Sequence, residues 1–171
     1  MTSEQSAAAA SAPQPQPEPS NLVLQRFFET SEAARRAAAP LKKAAEVGVH
    51  FTDVPGDFRF VSVDGKPRFE AARAKDPDFV LTLAPGAVTA IAAQPNADVG
   101  DLAILFFQHI LSNDPNSKIR VKLHSGLMNL TMRGWLSVMA LGGGKVMGWL
   151  ASKGLRGPSG IGAALSRLRK G

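Results

Sequence analysis

Residues 58–70 read FRFVSVDGKPRFE. Two alternating apolar runs flank Asp64-Gly65. An Asp-Gly pair between such runs is a strong β-hairpin signal, because a type I′ turn needs positive φ at both central residues. The expected strands are Phe58–Val63 and Pro67–Ala72. Upstream, Val47–Phe51 is apolar enough for a first strand. Downstream, Asp76-Pro77 precedes Asp78–Leu83, whose Phe79, Leu81 and Leu83 share one face. Ala84-Pro85 then starts a helix to about Ala93, with proline at its first position.

The pattern extends outward in both directions. Asn21–Glu46 reads as helix, with Leu22, Phe27, Phe28 and Ala34 at helical spacing and a kink or division expected at Pro40. Asp98 is an N-cap candidate for a helix to about Leu111. Its apolar surface is wide (Val99, Leu102, Ala103, Phe106, Phe107, Ile110), so it should be mostly buried. After the turn at 113–116, Ser117–His124 alternates. Ile119, Val121 and Leu123 point one way, and Lys118, Arg120, Lys122 and His124 the other. Gly126–Leu141 is read as one helix with a stripe of Met128, Met132, Trp135 and Met139, broken by Gly142-Gly143-Gly144. Lys145–Lys153 is a second helical piece. Ser159 can cap a last helix bearing Ile161, Leu165 and Leu168. The fold class is α+β, with helices covering one face of a mixed sheet and water meeting the other.

The chain has 171 residues, 44% of them apolar, and no cysteine or tyrosine. Disulfides, thiol nucleophiles and cysteine-based zinc sites are therefore excluded. The formal net charge is +6. Its source is local: Asp114 is the last acid, and ten Lys or Arg follow it. Both tryptophans and four of the five methionines lie in the same C-terminal third. Cations beside large apolar groups suit an anionic interface such as lipid headgroups, or form a solvated basic surface around an ordinary core. Residues 1–20, rich in Ala, Pro and Gln, predict a disordered tail. No apolar run is long enough for a transmembrane helix, and no secretory signal pattern is present.

Catalytic constellations are missing. His50, His109 and His124 lack metal-ligand spacing, and no metal site or cofactor is expected. His109 reads as a satisfied core histidine. Gly144-Lys145 fails the phosphate-loop pattern on both sides, with Met139 five residues earlier and Val146 after the lysine. No GxGxxG follows a strand. Asp76 and Asp78 read as turn and strand-start residues rather than an acid–base pair. No enzyme is expected.

The hairpin FRFVSVDGKPRFE, then PDFVLTLAPGAVTAIAA at 77–93, then a helix, then SKIRVKLHSG at 117–126 resembles the sterol carrier protein (sterol-binding) domain family. The resemblance covers about residues 21–141. It implies a mixed, mostly antiparallel five-stranded sheet covered on one face by helices. Between sheet and helices it implies a hydrophobic tunnel for acyl chains, sterols or phospholipids, and no catalytic residue. The chain departs from the family at Gln94-Pro95-Asn96, where Gly-Lys is more usual, in the length of the helix from Asp98, and in the helical pieces added after residue 141.

Three segments are thus expected: the tail at 1–20, a lipid-binding domain at 21–141, and a basic amphipathic helical extension at 142–171. Phe60, Leu81, Leu83, Phe106, Ile110, Met128, Met132, Trp135 and Met139 are expected to line the cavity, the methionine stripe having plain packing on the sheet as its alternative. Lys145, Trp149, Lys153, Arg156, Arg167 and Lys170 are expected to dock on anionic membrane. The expected partners are a hydrophobic small-molecule ligand, the membrane surface and a possible protein partner. The expected location is the bacterial cytoplasm, peripheral at the inner membrane face. A scaffold that presents isoprenoid quinone intermediates to an enzyme complex is the second reading. Nucleic-acid binding by the basic region is the third; it lacks a finger or ribonucleoprotein-type signature.

Overall fold

A computed structural model describes residues 16–155. Expectations placed on 1–15 and on 156–171, including the last helix and Arg156, Arg167 and Lys170, lie outside the described residues.

The hairpin forms as its sequence dictates. β2 (Phe58–Val63) and β3 (Lys66–Glu70) are antiparallel, with Val63 opposite Lys66. Asp64 (φ 52°) and Gly65 (φ 73°) form the two-residue turn between them, the left-handed pair that a type I′ turn requires. β1 (Glu46–Phe51) pairs antiparallel with β2 and parallel with β4 (Phe79–Leu83), and β5 (Ile119–Leu123) closes the far edge antiparallel to β4. The sheet order is β3-β2-β1-β4-β5.

Register sorts the side chains. Val47, Val49, Phe58, Phe60, Phe69, Phe79, Leu81, Leu83 and Ile119 face the helices. Gly48, His50, Arg59, Val80, Thr82, Arg120 and Lys122 face the other way. Arg59 is held on that open face by Glu46 (3.1 Å) and Glu70 (2.7 Å).

The helical layer differs from expectation in three ways. The first helix divides at Ser31, not Pro40: α1 is Ser20–Thr30 and α2 is Glu32–Ala38. Ser31 is fully buried with extended backbone, and its hydroxyl accepts the Ala34 N–H at 3.2 Å. It is thus an N-cap that starts a new helix, and Pro40 only follows the end of that helix.

α3 (Pro85–Ala92) and α4 (Val99–Leu111) start where expected, and Asp98 caps α4 by accepting the Asp101 N–H at 2.8 Å. Yet α4 is not mostly buried. Only Gly100 is; Ile104, Leu105 and Phe107 are half-exposed and Leu111 is exposed. α4 spans the gap over the sheet instead of sitting within a thick core.

The stretch 126–141 is not one helix. α5 is Leu127–Met132 and α6 is Trp135–Leu141. Gly134 (φ 93°) divides them, and a Cβ there would lie 2.3 Å from the Pro40 carbonyl oxygen. α7 (Gly143–Ser152) begins inside the glycine run at Gly143 (φ 56°). Its Val146 and Leu150 are buried, and it packs on α4, where the Phe107 and Trp149 rings stack 6.2 Å apart.

Candidate ligand cavity

The helices do not close down on the sheet. A cavity of about 300 Å³ remains between them, at the small end of the range for ligand pockets. Its floor is Val47 and Val49 of β1, Phe60 of β2, and Phe79, Leu81 and Leu83 of β4. Its roof is Leu24, Phe27 and Phe28 of α1, Ala33, Ala34 and Ala37 of α2, Leu41, and Ile91 of α3. Val99, Leu102, Ala103 and Phe106 of α4 and Trp135 and Val138 of α6 complete the wall. The space has a local cause. α2 turns three alanines toward the sheet and α4 turns Ala103, so stubs stand where Leu or Phe would fill the layer.

The wall offers a ligand almost nothing to hydrogen-bond. Its one polar handle, the Trp135 indole N–H, points away and donates to Asp78 Oδ2 at 2.7 Å. Asp78 has no solvent exposure. Its carboxylate also accepts from Ser125 Oγ (2.7 Å), Arg133 Nη1 (2.9 Å) and the Glu46 N–H (3.3 Å). Its backbone carbonyl accepts the N–H groups of His124 and Ser125, both at 2.9 Å. Arg133 further pairs with Asp76, and these two carboxylates, Asp76 foremost, hold the guanidinium firmly in its charged form. This buried hub ties α6 to the sheet and stands the Trp135 ring on Phe79, with centroids 4.7 Å apart.

A second polar cluster joins α7 to the start of α4. Lys145 of α7 reaches Asp98 and Asp101 of α4, each at 2.8 Å. The carboxylates, Asp101 first, raise the Lys145 pKa, and the Lys145 ammonium lowers that of Asp98.

Of the residues expected to line a cavity, Phe60, Leu81, Leu83, Phe106 and Trp135 meet at this one. Ile110 packs against the core beyond its wall. Met128 (75% exposed), Met132 (70%) and Met139 (45%) lie on the surface. Of the expected docking residues, Lys145 is committed to its two aspartates, Trp149 is half-buried against Phe107, and Lys153 is exposed with its ammonium 5.7 Å from the Trp149 ring centre. His109 is satisfied, its Nδ1 lying 2.7 Å from the Ser117 carbonyl. The α1 and α2 contributions were not expected. The Ala33-Ala34-Ala37 spacing, small residues on one helical face, is the sequence signal that would have found the α2 part.

The five-stranded mixed sheet with helices on one face is the arrangement that the family resemblance implies. No family model matches the chain, and no curated protein matches it. Among solved structures, the chain is similar to one titled "UbiJ-SCP2 Ubiquinone synthesis protein", with 12% identity and a TM-score of 0.38 over 71% of this chain and 86% of that one. The superposition is loose. Among the described residues no cluster of His, Asp or Glu could hold a metal, and no helix is long and apolar enough to cross a membrane.

Proposed function

We propose that this protein binds and carries a hydrophobic ligand, a fatty acyl lipid, a phospholipid or a sterol- or isoprenoid-like molecule, without transforming it. One observation carries the reading: a cavity of about 300 Å³ whose lining side chains are all apolar except for an indole N–H already engaged by Asp78. An apolar space of this kind excludes water and favours apolar guests. Among the described residues nothing on the wall can act as nucleophile, acid or base, which supports carriage over catalysis. Delivery would occur at anionic membrane, to which the cations after Asp114 are suited.

Native mass spectrometry of the purified protein, followed by organic extraction, tests the reading. A discrete added mass identified as a lipid is expected. Ala103→Trp, which fills the cavity from α4, should abolish that mass while the protein stays folded. A clean apo mass with no uptake from mixed vesicles would remove the reading. Presentation of an isoprenoid quinone intermediate to an enzyme complex uses the same cavity. It differs in predicting stable capture by that complex with vesicles unable to compete.

A further inference from the structure

The three helices after β5 carry an apolar surface that the fold leaves uncovered. Leu127, Met128 and Met132 of α5 and Leu136, Met139 and Leu141 of α6 are all exposed, Met128 and Met132 more than two-thirds so. Single exposed apolar residues are ordinary, but six within fifteen residues of chain are not. α5 and α6 pack on each other, and helical spacing puts Met128 with Met132 on one side of α5 and Leu136 with Met139 on one side of α6.

The geometry points to this face as the surface that enters a lipid bilayer, with α6 as the partition between bilayer and cavity. Two observations choose lipid over other occupants. The first is continuity with the cavity. α6 turns Trp135 and Val138 into the cavity wall and Leu136 and Met139 outward, so one helix separates the exposed face from the cavity. α6 has no buried residue of its own and is bounded by glycines, Gly134 at φ 93° and Gly142-Gly143 with Gly143 at φ 56°. The second is charge. No acid follows Asp114, so nothing in this part of the chain repels anionic headgroups. Arg133 and Lys145 are neutralised by Asp76, Asp78, Asp98 and Asp101. Apolar insertion, with Lys153 at the headgroups, therefore replaces attraction by Lys145 as the main contact. Methionine suits such a face because its flexible thioether adapts to disordered chains.

This inference rests on the carrier reading above, and the test separates the two. Full-length protein is floated with vesicles of phosphatidylcholine alone and of phosphatidylcholine with phosphatidylglycerol, at low salt and at roughly 0.5 M salt. Binding to the mixed vesicles should persist in part at high salt, since its apolar share is not screened. The double variant Met128→Asp/Met132→Asp should partition at least ~10-fold more weakly. It should also keep its thermal midpoint and its extracted lipid, both side chains being solvated. Unchanged flotation of the variant would overturn the proposal. So would a wild-type dimer in sedimentation that the variant dissociates without any loss of flotation, since the face would then meet a second copy. Protein that floats but never carries lipid would sink the carrier reading and leave the insertion face standing; loaded protein that ignores vesicles would do the reverse.

Discussion

Asp78 sits where a carboxylate is costly, and its neighbours make it affordable. Four donors converge on its two oxygens, from Glu46, Ser125, Arg133 and Trp135. Asp78→Ala would leave the Arg133 guanidinium short of a partner and the indole N–H with none. A loss of about 3–5 kcal/mol is expected in urea unfolding, the usual cost of breaking a buried pair. Trp135→Phe keeps a ring against Phe79 and removes one donor, so about 1–2 kcal/mol is expected. The hub was not legible in the sequence. Asp76 and Asp78 flank a proline and look like turn residues, while Arg133 comes 55 residues after Asp78. Nothing local announces a pairing over that distance.

Elements were legible where local chemistry alone determines them. Asp64-Gly65 placed the hairpin, and Ala84-Pro85 and Asp98 placed two helix starts to the residue. They were misread where tertiary contact decides. Ser31 looked like any helical serine until its burial made it a cap. Gly134 looked like a tolerated helical glycine until Pro40 came within reach. Gly134→Ala meets two obstacles, a left-handed φ and a carbonyl oxygen 2.3 Å from the new Cβ. A destabilisation above about 2 kcal/mol is expected from chemical unfolding, with detachment of the α5–α6 bend from Pro40 and Leu41. The methionine stripe shows the remaining limit. Period 3.6 places Met128 and Met132 on one face of α5, but whether another layer covers that face depends on how far the sheet extends.

At the scale of the molecule, the Asp78 hub ties the helical layer to the sheet, small residues leave the void between them, and an ion-pair cluster joins the helices to each other. Lys145 clamps α7 to the start of α4 through Asp98 and Asp101. Asp98 has a lowered folded pKa, so its share of the clamp is complete above the unfolded carboxylate value, about pH 4, and is lost as the pH falls through the folded value. Lys145 has a raised folded pKa, so its share is complete below about pH 10 and is lost as the pH rises through the folded value. Lys145→Met should therefore lower the thermal midpoint slightly at neutral pH and low salt. The difference from wild type should shrink in high salt and vanish at strongly acid pH. A gap unchanged by salt would mean that packing of the lysine stem, not its charge, joins the helices.

A wall that can neither donate nor accept a hydrogen bond cannot read a headgroup. It can measure only length and girth. Affinity across a homologous series should rise with each methylene until the void is full, then level or fall, whatever functional group ends the chain. On the carrier reading, the polar end of any such guest would stay outside the protein, presented rather than recognised. Choice among cargoes of equal bulk then belongs to whatever receives that end next.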